Sequence, residues 1–314
     1  MSELNQYKTE FLKYLEEKGR KKETLKNYEL YLDRFIQEIN CSTISQIKTK
    51  RIKEFKKWLT TYRDKYGEKI APNTKNYHLI ALRSFLRFLK QDHDQVLDPK
   101  KIELIETPQR KINIVKQSDI ERLINSPVTE NSGQNKDKNS LRDRAIIEFF
   151  LSLGITVSEL TSLKKSHINL NRNEINLDRT NISTLPLANP TIKWVQKYLD
   201  SRSDNNSFLF ISHDNRTEEK NKDKPLSDRS IQRLVKKHKR AAGIPYEVTP
   251  TILRNTCIVN LADQIKIEQV NYLADHESIT ATKMYKIAAE EKLTDKQKFY
   301  YNYFKEVIKR LTKQ

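Results

Sequence analysis

Apolar residues recur three or four positions apart through most of this chain, the spacing that lines one face of a helix. Leu15 closes such a stripe with Tyr7, Phe11 and Tyr14 over residues 2–18, and Gly19 ends it. Leu25, Tyr28, Leu32, Phe35 and Ile36 form the next, preceded by Lys21, Lys22 and Thr24. Ile52, Phe55, Trp58 and Leu59 predict a third helix within 45–65. Leu79, Leu82, Phe85, Leu86 and Leu89 predict a fourth over 74–91, opened by Pro72-Asn73. Four amphipathic helices make a small bundle, placed here as a domain over 1–95. Residues 96–115, with Pro99 and Pro108, have the composition of a linker.

Ser118-Asp-Ile-Glu carries a capping pattern and opens a second domain over 116–290. Residues 127–140 predict a polar loop. The period shortens over 166–187, where Ile168, Leu170, Ile175, Leu177 and Leu185 predict a short antiparallel sheet, with Asn171-Arg-Asn-Glu174 as a hairpin turn. Helices follow over 190–201 and from Ser227, a good cap, to Arg240. Between them Phe208-Leu-Phe-Ile211 predicts a short buried strand, and His213 to Lys224 a charged loop. Phe299, Tyr303, Phe304, Val307 and Leu311 stripe a last helix within 291–314. The expected fold is mainly α with a small antiparallel β-sheet, in two domains.

Composition changes that picture in one respect. Lys and Arg exceed Asp and Glu by enough to give a net charge of +18, which calls for a polyanionic partner. The basic residues are spread through both halves instead of lying on one amphipathic helix, so double-stranded DNA is expected and a membrane is not. No apolar run is long enough to span a bilayer, and no leader pattern opens the chain. Cys41 and Cys257 lie far apart without metal-ligand spacing, predicting reduced thiols in a cytoplasmic protein with no metal and no cofactor. Candidate DNA contacts are Lys21, Lys22, Thr24 and Asn27 at the start of the second helix, where free N–H groups face outward. Lys75, Asn76 and Arg83 on the fourth helix join them, as do Arg229, Arg233, Lys236 and Lys237 on the most basic helix of the chain.

Candidate chemistry lies near the C-terminus, in Thr249-Pro-Thr-Ile-Leu-Arg-Asn255 and Leu273-Ala-Asp-His-Glu-Ser-Ile-Thr-Ala-Thr-Lys-Met-Tyr285. Arg254, His276 and Tyr285 together could bind a phosphodiester, exchange a proton with it and attack it. These stretches resemble the tyrosine recombinase (phage integrase) pattern T-P-H-x-L-R-H, then L-G-H-S-S-I-x-T-T-x-x-Y. Leu141-Arg-Asp-Arg-Ala to Gly154-Ile-Thr-Val-Ser-Glu-Leu160 is similar to the family's first box, and two N-terminal helices resemble its core-binding domain. The resemblance implies two lobes that close on duplex DNA, with a C-terminal helix passed to a neighbouring protomer.

It also implies a damaged site. The family's first catalytic arginine falls on Thr156, a histidine on Thr251, another on Asn255 and a glycine on Asp275, and residues 176–186 hold no lysine. A missing charge donor costs about 2.7–4 kcal/mol of transition-state stabilisation, and a lost general acid roughly two to four further decades in rate. These losses do not add simply, but they predict vestigial roles for Arg254, His276 and Tyr285. The expectation is a non-cutting, site-specific transcriptional repressor of phage lytic genes. It would bind an operator, meet a phage-encoded antagonist and act at the bacterial nucleoid, similar in kind to the master repressors of SPβ-type prophages. The alternatives are an active or partner-assisted recombinase using Tyr285, and an accessory protein that modulates a true integrase.

Overall fold

The structure is a computed structural model, which describes residues 2–64, 66–107, 111–129, 137–213, 223–276 and 278–292. The chain divides into two compact units, Met1–Arg110 and Lys111–Gln314. The stripe expected within 291–314 lies almost wholly outside the described residues, as does most of the loop from His213 to Lys224.

Among the described residues the first unit holds four α-helices: α1 (Glu3–Glu17), α2 (Lys22–Glu38), α3 (Thr49–Thr61) and α4 (Pro72–Leu89). Their apolar stripes meet in one core built on Phe11, Leu32, Phe35, Phe55, Leu82 and Phe85. The second helix starts earlier than its stripe implies, because Lys21 already has extended N-cap geometry and Thr24 sits in the first turn.

One expected DNA contact on α4, Asn76, is corrected here, and a second, Arg83, has one donor engaged with backbone. Asn76 is buried, and its amide is matched to a single backbone unit: Nδ2 donates to Ile105 O and Oδ1 accepts from Ile105 N–H, each at 2.8 Å. Its spacing of three before Leu79 places it on the inward face. Arg83 is half-buried, and its Nε donates to Ile102 O at 2.6 Å. Both side chains pin the segment that leaves the bundle.

In the second unit α5 (Gln117–Thr129) runs into the stretch expected as a loop and takes Pro127 into its last turn. Buried α6 (Lys138–Leu153) is the hub, and the six-residue α7 (Val157–Ser162) follows it. Strands β1 (Ile168–Asn169), β2 (Glu174–Asn176) and β3 (Thr184–Pro186) form an antiparallel sheet in chain order, with Ile175 opposite Ile168 and Leu185. Asn173 turns the first hairpin at φ 56°, a conformation asparagine tolerates. Then come α8 (Asn189–Asp200), α9 (Asp228–Ala241), α10 (Pro250–Gln264), α11 (Ile267–Leu273) and α12 (Ile279–Lys292). Phe208 makes only an isolated bridge to Lys164 instead of a strand. No helix among the described residues is long and apolar enough to cross a membrane.

Candidate active site

The end of α6 fixes the first wall of the site. Gly154 sits at φ 57°, where side-chain-bearing residues are strained, and a Cβ there would lie 3.2 Å from Cys257 Sγ. Its carbonyl accepts from Arg254 Nη1, while Arg254 Nη2 donates to Ala274 O at 2.6 Å. Arg254 is therefore gripped by the ends of two helices. Burial pulls its pKa down, and Glu159 opposes that pull.

Thr156 is occupied locally. It is the N-cap of α7, with Oγ1 accepting from Glu159 N–H at 3.2 Å, and Glu159 Oε2 accepts in return from Thr156 N–H at 2.6 Å. This reciprocal capping box leaves Glu159 Oε1 free to receive Arg179 Nε at 2.5 Å. Arg179 comes from the segment between β2 and β3, and its Nη1 donates to Leu273 O at 2.6 Å. Burial alone would raise the Glu159 pKa, but the hydrogen bond and charge of Arg179 and the Thr156 amide outweigh it and hold the carboxyl low. The segment itself is tied down by Asp275, which adopts φ 50° and accepts from the N–H groups of Thr180 at 3.4 Å and Asn181 at 3.1 Å.

His276 and Tyr285 complete the site. Thr282 Oγ1 donates its one proton to Asn271 Oδ1 at 2.7 Å, so at 2.8 Å from His276 Nδ1 it must accept. The network therefore assigns the proton to Nδ1 and the lone pair to Nε2. Burial, reinforced by the positive charges of Arg254 and Arg179, lowers the His276 pKa to about 4 and keeps the ring neutral. The Tyr285 ring stacks on it at 5.4 Å with 27° between planes. The Tyr285 hydroxyl donates to Asn255 Oδ1 at 3.0 Å, and Asn255 Nδ2 donates to Asn113 O at 3.3 Å.

The fold thus gathers Arg254, His276, Tyr285, Glu159 and Thr156, while Thr251 is exposed on the first turn of α10. The sequence reading missed Arg179 and the anchoring role of Asp275. A basic residue in the segment otherwise noted for lacking lysine was the available signal. Away from this site, Arg229, Arg233, Lys236 and Lys237 are exposed on α9, whose opposite face buries Ile231, Leu234, Val235 and His238. Lys21, Lys22 and Asn27 are exposed, and Thr24 and Lys75 half-buried.

Two family models cover most of the chain. The phage integrase family matches residues 113–292, and the phage integrase N-terminal SAM-like domain matches residues 9–93. The chain belongs to the phage integrase family. The tyrosine recombinase XerA of Pyrococcus furiosus is 27% identical over 286 residues, covering 88% of this chain and 87% of that one. A tyrosine recombinase of Agathobacter rectalis is 25% identical over 304 residues, covering 94% and 96%. Among solved structures, a lambda integrase dimer bound to a COC' core site aligns with a TM-score of 0.64 and 17% identity over 94% of this chain and 80% of that chain, a likeness of fold.

These relatives overturn the expectation of a repressor with no enzymatic activity. The curated relatives are named tyrosine recombinases, which are enzymes. Thr156 does lack a guanidinium, but Arg179 brings one onto the same Glu159 from another element.

Proposed function

We propose that this integrase-family protein is a tyrosine recombinase that breaks and rejoins double-stranded DNA through Tyr285, in integration, excision or resolution. The observation that carries the reading is the Tyr285 phenol held beside a neutral His276 in the site that contains Arg254. A phosphodiester oxygen placed on Arg254 would meet a planar donor fork. The phenolic oxygen then attacks phosphorus, the bond to the 5′ oxygen breaks and that oxygen takes up a proton from water, and DNA remains joined to Tyr285 through its 3′ phosphate. Attack by a 5′ hydroxyl reverses the step. The His276 Nε2 lone pair is available to receive the phenolic proton, since the ring stays neutral above about pH 4. Exposed cations on α9 and at the start of α2 hold the duplex through its phosphates. Assembly on DNA as a dimer or higher oligomer fits the lambda integrase structures, a dimer bound to a core site and a tetramer bound to a Holliday junction.

The test begins by enriching a binding site from random duplexes with the full chain. A nick placed near the preferred site then lets the short 5′-terminal fragment diffuse away. Wild-type protein is expected to accumulate a phosphotyrosyl-DNA adduct, and Tyr285→Phe none. Tight, selective binding by wild type with no adduct anywhere along that duplex overturns the reading.

A further inference from the structure

We propose that Arg179, delivered by the segment between β2 and β3 and fastened by Asp275, supplies the second positive charge of the phosphate site. The proposal rests on the recombinase reading above and names a further residue of that same site.

Charge balance is the first observation. Two guanidiniums, Arg179 and Arg254, share one carboxylate: Glu159 Oε1 lies 2.5 Å from Arg179 Nε, and Oε2 lies 3.9 Å from Arg254 Nη1. Asp275, half-buried like Arg254 and Glu159, adds a second carboxylate, which the backbone N–H groups of Thr180 and Asn181 engage. Among the described residues Asp275 forms no ion pair with either guanidinium, so in direct pairing the cluster holds one cation in excess. An uncompensated buried charge is costly and is completed by an anion of unit charge, which a phosphodiester is.

The second observation is an orphan donor. The Arg179 side chain is 1% exposed, and its Nη2 is buried with no hydrogen-bond acceptor among the described residues. Arg254, at 14% exposed, is the guanidinium that faces an incoming phosphate. Arg179 stands behind it as a positioning residue. It orients Glu159 and adds its charge through a medium of low dielectric, where a fixed cation acts strongly on developing negative charge.

The third observation is how the charge gets there. Asp275 binds the N–H groups of the two residues after Arg179, and Leu273 O, two residues before Asp275, binds Arg179 itself. The turn between α11 and His276 thus holds the β2–β3 segment in place. Thr156, by contrast, is a helix cap with no charge to offer.

The experiment measures adduct formation on the selected duplex for wild type, Arg179→Ala, Arg179→Lys and Asp275→Ala, on a normal phosphate and on a methylphosphonate that lacks the negative oxygen. Arg179→Ala is expected to slow the adduct by about 10²–10³-fold on phosphate, with DNA affinity nearly unchanged. Arg179→Lys should recover part of the rate, and Asp275→Ala should fall between wild type and Arg179→Ala. On the methylphosphonate the Arg179→Ala deficit should shrink to about tenfold or less, because there is less charge to stabilise. Wild-type rates in Arg179→Ala, or an equal deficit on both substrates, overturn the assignment while leaving the recombinase reading intact. A second measurement needs no cleavage: inorganic phosphate should raise the melting temperature of wild type and do so less in Arg179→Ala and Arg254→Ala. Equal stabilisation of wild type and Arg179→Ala overturns the assignment even if no DNA is cut.

Discussion

The second unit buries two pairs of arginines, and they are matched differently. On α6, Arg142 donates through Nε and Nη2 to Asp143, and Arg144 through Nε and Nη2 to Glu148, so two guanidiniums meet two carboxylates. The Nη1 groups close on other oxygens: Arg142 Nη1 on Ile211 O, and Arg144 Nη1 on Ile124 O and Asn125 Oδ1. His238 joins from α9, 2.9 Å from Asp143, and Trp194 covers Arg144. Burial pushes the Glu148 carboxyl up against the pull of Arg144, which makes the pair dependent on its arginine. At the site, Arg179 and Arg254 have one ion-paired carboxylate between them and one donor left over among the described residues. The same residue type thus serves two purposes. A cluster in which each arginine has its own carboxylate holds helices together, whereas one in which two arginines share a carboxylate is prepared for an anion.

The contrast is broken or sharpened by removing one arginine from each cluster. Arg144→Ala strands Glu148 in the core and should cost about 3–5 kcal/mol of stability in urea denaturation. Arg254→Ala leaves Glu159 paired with Arg179, so it should unfold close to wild type while adduct formation falls by about two to three decades. Equal destabilisation by both substitutions would end the distinction. Gly154→Ala should come next, losing about 1–2 kcal/mol for a left-handed alanine and more from the contact with Cys257. Because the Gly154 carbonyl holds Arg254, its adduct rate should drop as well, and Cys257→Ala in the same chain should return part of the stability.

The smallest effect compares histidines in the two units. His78 donates from Nδ1 to Thr74 O at 2.8 Å and accepts at Nε2 from Arg34 at 3.0 Å, so protonation would set an N–H against a guanidinium. Burial is the main cause that lowers its pKa to about 4, as it is for His276. The unfolded chain, with an ordinary histidine value of 6.5, binds the proton first. Stability from these groups is therefore present above pH 6.5 and lost as pH falls toward 4. Denaturant midpoints taken across that window should fall, and His78→Gln should take up one proton fewer on unfolding near pH 5.

The fold was legible because its signals are local. Stripes such as Leu79, Leu82, Phe85 and Leu86 report a buried face within a few turns, and Ser227 announces α9 by capping it as expected. Arg254, His276 and Tyr285 could be found from spacing within two neighbouring segments. Arg179 could not, since its partners are Glu159, 20 residues before it, and Leu273, 94 residues after it. Counting lost residues one position at a time treated Thr156 and Asp275 as separate defects. In three dimensions Thr156 leaves a charge to be supplied, and Asp275 ties down the segment that supplies it. Asn76 failed for the opposite reason: polarity suggested a surface, and a backbone unit 29 residues away satisfies it in the interior.

Glu159 begins a helix with one oxygen and separates two guanidiniums with the other. The opening turn of α7 is consequently a reporter of what occupies the pocket: an anion that draws either arginine toward itself changes the carboxylate on which the Thr156 amide rests. Backbone order and electrostatic readiness meet in a single side chain there, and neither can drift during divergence without disturbing its counterpart.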